Sequence, residues 1–371
     1  MKFTIDRDLL SEVLFRIQGV CAQKSTLAIL SSCLVEAHKD GTISVQGTDL
    51  DVSVNTRSPA NVAKTGRVAL VAKRFFETVK SLAPGEVSLS LESNQWVNLE
   101  SGKLKARIAG NHGDEFPNIP VIREDLPVQM PAMLWLDMIE KTHFSISTDE
   151  SRAAFTGALF SISESGVAQM VSTDGHRLSK IDVQIDPPPQ VVPEVLRKGV
   201  IIPRKGLNEL RRNIDGSGTI AIDVEKEDLL VQTEKTALAV RLIPGRFPNF
   251  SKVIPSDLEH RAVLSKGALT QAIKRAALYT AKLGNTRLTL KEGQLEIYAY
   301  DAEAGEVKDS IDCDYKGKGV SAGFNYRYIL DVLSVIEGDE VIIELIDTES
   351  PSVVRDPVRD DVLYIVMPMQ F

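Results

Sequence analysis

The sequence Phe-Pro-Asn at residues 116–118 recurs at residues 247–249, which is 131 residues further along the chain. The pair Lys73-Arg74 corresponds to Arg204-Lys205 at the same spacing, and apolar residues follow each pair at helical intervals. Two independent features that share one spacing indicate that the chain repeats a unit of domain length.

A third copy of this unit is present near the C-terminus. Residues 324–327 read Phe-Asn-Tyr-Arg, and apolar residues then recur at intervals of three and four, as they do on one face of a helix. Apolar residues also occupy every second position in 87–91, 220–224 and 341–345, which predicts a corresponding strand in each copy.

Each copy begins with a predicted amphipathic helix, near residues 6–17, 136–144 and 265–277. Asp6 and Ser265 are residue types that cap the first turn of a helix. Strands joined by short turns, with helices on one face, favour antiparallel sheets.

The predicted fold class is therefore α+β, with three similar domains that each contain antiparallel sheet and two helices. Polar, proline-containing stretches separate the copies. They divide the chain into residues 1–125, 126–256 and 257–371.

Composition excludes several classes of protein. Of the 371 residues, 43% are hydrophobic and 25% are charged, so a packed core is expected and global disorder is not. The sequence offers no long apolar run and no apolar signal core after Met1, so we expect a cytoplasmic protein without a membrane segment. Three widely spaced cysteines fit a reducing compartment.

The acidic total conceals an uneven distribution of charge. The chain carries a net charge of -8, which argues against a surface that binds nucleic acid everywhere. The six predicted helices together carry +6, however, and the rest of the chain carries -14. If these helices share one face, that face would contact DNA phosphates with little sequence preference; cationic solubilising helices are the alternative interpretation.

The sequence contains little that indicates catalysis. Nucleotide-binding glycine loops and a GxSxG motif are missing, and the five histidines are scattered without metal-ligand spacing, so we predict neither a cofactor nor a metal. In the segment Thr173 to Leu178, His176 could act as a base oriented by Asp174. Asp174-Gly175 between two apolar runs is instead typical of a hairpin turn.

The C-terminal segment is apolar to its end. We expect residues 362–366 to form a strand, and Pro368 to turn the chain so that Met369 and Phe371 contact an apolar surface. Methionine side chains adapt to varied partners. A groove that Met367 and Met369 border is therefore a candidate peptide-docking surface.

Several of these motifs together resemble the bacterial DNA sliding clamp, the beta subunit of DNA polymerase III. The matching stretches occur in the same order along the whole chain; they are Met1 to Phe3, Thr48 to Leu50, Phe116 to Asn118, Thr173 to Leu178, Pro203 to Gly206, Gly245 to Pro248 and Val366 to Met369.

The resemblance implies a closed ring made by a head-to-tail homodimer, with six domains and twelve helices around the hole. Such a ring encircles double-stranded DNA and tethers the DNA polymerase III alpha subunit and other replication and repair proteins. It has no catalytic activity, and a separate clamp loader opens it. Two alternatives remain open: a diverged clamp paralogue that serves repair or antibiotic resistance, and an α+β hydrolase that uses Asp174 and His176.

The resemblance also implies functional residues by position. The residues expected to face DNA are Lys24, Lys73, Arg74, Arg152, Arg204 and Lys205. The residues expected to line a partner-peptide groove are Phe155, Thr173, Gly175, His176, Arg177, Leu178, Pro248, Val366, Met367, Pro368 and Met369. The residues expected at the dimer interface are Ala106 and Ile108 in the first domain, against Leu278 and Tyr279 in the third.

Overall fold

A computed structural model describes residues 1–21, 27–119, 123, 125–256, 258–280 and 284–370. Within these residues the α-helices are α1 (Arg7–Gln18), α2 (Ala72–Lys80), α3 (Ala132–Thr142), α4 (Glu194–Lys198), α5 (Arg204–Asn213), α6 (Lys266–Ala276) and α7 (Tyr326–Val335).

The strands of the first half of the chain are β1 (Lys2–Asp6), β2 (Ser32–Ala37), β3 (Thr42–Thr48), β4 (Val52–Pro59), β5 (Asn61–Lys64), β6 (Gly66–Val71), β7 (Glu86–Leu91), β8 (Trp96–Ser101), β9 (Leu104–His112), β10 (Val128–Pro131), β11 (Gly157–Ile162), β12 (Val167–Thr173) and β13 (Arg177–Gln184).

The strands of the second half are β14 (Val200–Pro203), β15 (Thr219–Glu225), β16 (Asp228–Gln232), β17 (Thr236–Arg241), β18 (His260–Ser265), β19 (Asn285–Lys291), β20 (Gln294–Asp301), β21 (Gly305–Asp314), β22 (Val320–Asn325), β23 (Glu340–Leu345), β24 (Ser352–Arg355) and β25 (Val362–Val366).

The two predicted helix N-caps are confirmed. The Asp6 carboxylate accepts hydrogen bonds from the backbone N–H groups of Asp8 (2.8 Å) and Leu9 (3.4 Å). The Ser265 hydroxyl accepts one from the N–H of Ala268 at 3.3 Å. Each cap satisfies donors that the first turn of a helix leaves without partners.

The predicted start of the second opening helix was wrong. The helix begins at Ala132 rather than at residue 136. Pro131 ends strand β10 immediately before it, and a proline is readily accommodated where a helix begins because no intrahelical bond needs its missing N–H. The short helix α4 was not predicted.

The strands form two long sheets. The first has thirteen strands in the order β10-β15-β16-β17-β4-β3-β2-β6-β9-β8-β7-β1-β5, and each neighbouring pair in it is antiparallel. The second has twelve strands in the order β14-β11-β12-β13-β25-β24-β23-β18-β21-β20-β19-β22. Antiparallel sheet with short turns agrees with the α+β prediction.

The chain divides into two compact units that follow these sheets. The first comprises residues 1–136, 185–198 and 202–242, and the second comprises residues 137–184, 199–201 and 243–371. The middle of the sequence therefore contributes to both units, and the predicted domain limits after residues 125 and 256 remain a prediction. Among the described residues, no helix combines the length and apolarity needed to cross a bilayer.

Candidate functional site

In the first unit, aromatic side chains connect three helices. The rings of Phe15 on α1 and Phe76 on α2 lie 6.2 Å apart. The guanidinium of Arg212 on α5 lies 4.7 Å from the Phe15 ring, and the Lys80 ammonium lies 5.7 Å from the Phe76 ring. A cation near an aromatic face is attracted to it. This series of contacts, from Lys80 through Phe76 and Phe15 to Arg212, is called the contact chain below, and it places the positive charges of α2 and α5 beside α1.

Further cations project from the same helices. Lys73 and Arg74 are exposed on α2, and Lys205 and Arg211 are exposed on α5. Arg204 is partly buried. Lys205 forms an ion pair with Asp49. The structure thus brings four of the six residues predicted to face DNA onto two helices of one unit.

The other two predicted DNA-facing residues are placed differently. Lys24 lies outside the described residues. Arg152, in the second unit, donates from Nη2 to the carbonyl of Asp174 at 3.0 Å, and its guanidinium lies 4.9 Å from the ring of Phe155. Arg152 therefore connects two residues next to the predicted groove, and its side chain is fixed at that edge.

The predicted hairpin is confirmed and organises the groove. Strands β12 and β13 pair through Thr173 opposite Leu178, and Gly175 in the turn has a φ of +89°. Few residues other than glycine adopt this conformation without strain. The Thr173 hydroxyl donates to the carbonyl of Arg177 at 2.6 Å and accepts from the N–H of Gly175 at 3.0 Å.

The C-terminal strand adds the opposite border of the groove. β25 pairs with β13 so that Val366 lies opposite Arg177, and the N–H of Met367 donates to the carbonyl of His176 at 2.8 Å. Met369 then forms an isolated bridge with Gly323. The predicted strand and the continuation beyond Pro368 are both present, whereas Phe371 lies outside the described residues.

Apolar side chains surround the junction of these strands. Val171, Leu178, Val353 and Ile365 form a buried cluster. Further hydrophobic residues pack against this cluster and keep part of their surface accessible; they are Leu159, Phe247, Phe250, Ile254, Leu258, Leu363 and Met367. A half-buried apolar rim over a buried floor is a surface to which an apolar peptide can dock.

Sequence reasoning missed much of this rim. Phe250, Ile254 and Leu258 are far from the hairpin in sequence, and only folding brings them to it. A signal was available for Phe247, which belongs to the repeated Phe-Pro-Asn motif. Its counterpart in the first copy, Phe116, is buried against Leu34 and Ala69, so the motif supplies an apolar anchor in each unit.

The Arg177 guanidinium makes three hydrogen bonds and an aromatic contact. It donates to Asp174 at 3.0 Å, to Asp331 at 2.5 Å and to the carbonyl of Phe144 at 2.5 Å. It also lies 4.5 Å from the ring of Tyr328. These contacts leave the side chain 11% exposed, so Arg177 fixes the hairpin rather than presenting a free charge.

The geometry does not favour the hydrolase hypothesis. Asp174 accepts from the backbone N–H groups of His176 (2.9 Å) and Arg177 (3.0 Å), as a turn-forming aspartate does. The His176 ring instead stacks on Tyr328, with ring centroids 6.5 Å apart. A carboxylate that orients a histidine base must accept from its ring nitrogen, and Asp174 makes no such bond within the described part of the chain.

Arg177→Gln is expected to destabilise the second unit by about 3 kcal/mol, because it leaves the largely desolvated carboxylate of Asp174 without its cation and also breaks the ion pair with the half-exposed Asp331. Urea unfolding followed by circular dichroism measures the change. His176→Ala is the matched control, since this ring is exposed and its loss should cost less than about 1 kcal/mol. Equal destabilisation by both changes would contradict the role assigned to Arg177.

Each unit also contains a strand with one open edge. Residues 104–109 of β9 pair with β8, and β6 joins β9 only from Gly110 onward. Residues 305–312 of β21 pair with β20, and β18 joins only at the last two positions of β21. Within the described ranges, neither segment has a partner on its second side.

The predicted interface residues lie at or near these edges. Ala106 and Ile108 are on β9 and are partly buried, and Leu278 follows α6 with 74% of its surface exposed. Tyr279, beside it, is partly buried. An exposed apolar residue near an unpaired strand edge is typical of a surface that another chain covers.

Comparison with known proteins agrees with this geometry. Residues 1–120, 129–249 and 251–370 match the N-terminal, central and C-terminal domains of the DNA polymerase III beta subunit. The chain is 30% identical over 374 residues to the beta sliding clamp of Escherichia coli strain K12, covering 100% of both chains. It is 29% identical over 371 residues to that of Chlamydia pneumoniae, covering 100% of this chain and 99% of the other.

Solved structures give the same result. The crystal structure of the DNA polymerase sliding clamp from Bacillus subtilis matches with a TM-score of 0.93 and 28% identity, over 100% of this chain and 99% of that one. A sliding clamp from Pseudomonas aeruginosa bound to griselimycin matches with a TM-score of 0.93 and 28% identity, over 100% of both chains.

Proposed function

The chain belongs to the family of bacterial beta sliding clamps, the beta subunit of DNA polymerase III, and we propose which of its own residues perform that function. A sliding clamp is a non-catalytic processivity subunit that encircles duplex DNA as a dimer and tethers the polymerase. The observation that carries the assignment of the DNA-facing surface is the contact chain from Lys80 through Phe76 and Phe15 to Arg212.

This contact chain supports a DNA-facing wall made of α1, α2 and α5. Lys73, Arg74, Arg204 and Lys205 lie on two of these helices, while the chain as a whole carries -8. A cationic wall on an acidic body attracts phosphates to one surface and repels them elsewhere. Lys24 and Arg152 complete the proposed set.

Ring closure would use the two open strand edges. We assign β9 of one copy and β21 of the other as antiparallel partners, with Ala106, Ile108, Leu278 and Tyr279 nearby. β9 carries Lys105 and Arg107. The open segment 305–312 of β21 carries three carboxylates, of Glu306, Asp309 and Asp312, against one lysine. Opposite charge on two edges favours head-to-tail pairing and disfavours pairing of like edges.

Three domains in each copy, with limits after residues 125 and 256, would then give six around the ring. Encirclement makes attachment topological, so the ring can slide while it remains bound. Contacts with phosphates can therefore be weak and salt-sensitive without loss of attachment.

The groove around Leu178 and Met367 is the proposed docking site for the polymerase alpha subunit, the clamp loader and other clamp-binding proteins. Its half-buried rim suits a short apolar peptide. Tethering raises the effective concentration of a polymerase at its template. We also place the protein in the cytoplasm, where free Cys21, Cys33 and Cys313 fit a reducing environment.

A plasmid retention assay tests encirclement. We expect clamp that a clamp loader has placed on nicked circular plasmid to co-elute with the DNA, and to be lost at least about tenfold faster once a restriction enzyme linearises it, because a ring slides off a free end. Linear plasmid blocked at both ends by bound protein is the control and should retain the clamp. Equal retention on circular and open linear DNA would contradict sliding.

A further inference from the structure

The opening helices α1, α3 and α6 share one burial register. Counted from the residue before each helix (Asp6, Pro131 and Ser265), positions four, seven, eight and eleven are buried in all three. The buried residues are Leu10, Val13, Leu14 and Ile17 in α1, Trp135, Met138, Ile139 and Thr142 in α3, and Leu269, Ala272, Ile273 and Ala276 in α6. Other positions counted in this way are therefore structurally equivalent.

The tenth position is cationic in every copy: Arg16, Lys141 and Arg275. Arg16 donates from Nη1 to the carbonyl of Asn213, at 2.6 Å. Lys141 donates from Nζ to the carbonyl of Val335, also at 2.6 Å. Cations are favoured at these places because the last carbonyls of a helix lack intrahelical partners and carry partial negative charge.

The two accepting carbonyls are equivalent as well. Asn213 is the last residue of α5 and Val335 is the last residue of α7. Each is the tenth residue when positions are counted from the residue before its helix, which is Pro203 for α5 and Asn325 for α7. The tenth residue in the α2 register, counted from Val71, is Ser81. The fourth and eleventh positions are buried throughout and confirm this alignment; they are Phe75 and Leu82, Leu207 and Ile214, and Ile329 and Ile336.

Each of the three cations also forms an ion pair with a carboxylate. Arg16 pairs with Glu12 at 3.0 Å and Lys141 pairs with Glu337 at 2.8 Å. The Nε of Arg275 donates to Asp309 at 2.8 Å. In the described part of the chain, Arg275 makes no bond to a backbone carbonyl. It therefore has the ion pair with a carboxylate that Arg16 and Lys141 have, but not their bond to a helix-end carbonyl.

Exposure of the three side chains shows the same difference. Arg16 is 20% exposed and Lys141 is 5% exposed, whereas Arg275 is 54% exposed. Leu278, three residues beyond Arg275, is an exposed apolar residue. The C-terminal end of α6 is therefore exposed at the place where the corresponding ends of α1 and α3 contact the end of a second helix.

The order of the copies along the chain identifies the helix that would cover the C-terminal end of α6. The opening helix of the first copy, α1, bonds to the second helix of the next copy, α5, and α3 of the second copy bonds to α7 of the third. α6 belongs to the last copy, so the next copy in a head-to-tail series is the first one of another chain. Its second helix is α2.

We propose that Arg275 donates to the carbonyl of Ser81 of the partner subunit while it keeps its ion pair with Asp309. This bond would repeat across the subunit boundary the contact that Arg16 and Lys141 make within the chain. The inference rests on the proposed ring and adds to it a positioning residue that holds the ends of two helices together.

Arg275→Met removes the guanidinium but keeps an unbranched apolar side chain of similar reach. The loss of a charged hydrogen bond weakens an interface about 10- to 100-fold. Because the ring has two such interfaces, we expect the dimer dissociation constant, measured by sedimentation velocity over a dilution series, to rise about 100- to 10,000-fold. Arg275→Lys should retain most of the affinity, because Lys141 shows that an ammonium can make this bond. Arg211→Met, which removes an exposed arginine from α5, is the matched control and should leave dimerisation unchanged.

Asp309→Asn removes the ion pair of Arg275 but leaves its guanidinium able to bond to the carbonyl of Ser81 of the partner subunit. The dimer dissociation constant should therefore rise less in Asp309→Asn than in Arg275→Met. A wild-type chain that stays monomeric would overturn the ring itself. A dimeric wild type with unaltered affinity in Arg275→Met would overturn the Arg275 bond alone. Dimerisation itself raises the melting temperature, so thermal melting is compared at a dilution at which wild type and Arg275→Met are both monomeric. The two should then melt alike, since the side chain is exposed within one chain; a lower melting temperature of the Arg275→Met monomer would show instead a role within the chain.

Discussion

Leu278→Asp is expected to convert the dimer into monomers at micromolar concentration. Leu278 is 74% exposed in the single chain, so the change should leave the monomer folded. In the proposed interface the substitution removes a buried leucine, worth about 2 kcal/mol, and buries a carboxylate at a further cost of about 2 kcal/mol or more. The dissociation constant should therefore rise about a thousandfold at each interface.

Sedimentation velocity measures this effect, and the plasmid assay should show loss of retention on circular DNA by the same variant. Val358→Asp is a matched control, because Val358 is 66% exposed in the same unit but lies away from β21 and α6 in sequence. Control and wild type should behave alike. A Leu278→Asp chain that remains dimeric would show that this end of α6 is not at the interface.

Met367→Glu is expected to abolish most peptide binding while the ring stays intact. The Met367 side chain packs, partly exposed, on the buried cluster that contains Leu178 and Ile365. Its backbone bond to His176 does not depend on the side chain, so the strand should remain in place. A carboxylate in the apolar rim should weaken binding of a peptide from the clamp-binding segment of the polymerase alpha subunit about 100-fold.

Fluorescence anisotropy with the labelled peptide measures that loss. Gln370→Glu adds the same charge three residues later at an exposed position and should change the affinity less than about threefold. Sedimentation of Met367→Glu should still show a dimer. Unaltered peptide affinity in a folded, dimeric variant would move the docking site away from β25.

The sequence identified elements whose cause is local. Asp6 and Ser265 cap helices through bonds to residues two or three positions away, and Asp174-Gly175 forms a hairpin because glycine adopts the positive φ that the turn needs. The second opening helix was misplaced by four residues because Pro131, directly before the true start, was not recognised as its signal. Propensity and periodicity are properties of neighbouring residues, so they can be read without the fold.

The site depended more strongly on tertiary structure. Its hairpin and C-terminal strand were predicted from turn and apolar patterns, and individual groove residues through the family resemblance, whereas the rim from Phe250, Ile254 and Leu258 was not predicted. Arg177 was expected to line a groove, yet the fold surrounds it with Asp331, Phe144 and Tyr328. Those partners are distant in sequence, and no periodic pattern records which distant residues will meet.

The sequence by itself determined that the chain repeats a helix-and-strand unit three times and concentrates positive charge in its helices. Only the tertiary structure decided which helix ends meet, and with them the bonds of Arg16 to Asn213 and Lys141 to Val335. The physical reason is that a repeat fixes the register within each copy, through burial of the same positions. A bond between copies depends on where packing brings a carbonyl, and that position is a property of the whole assembled chain.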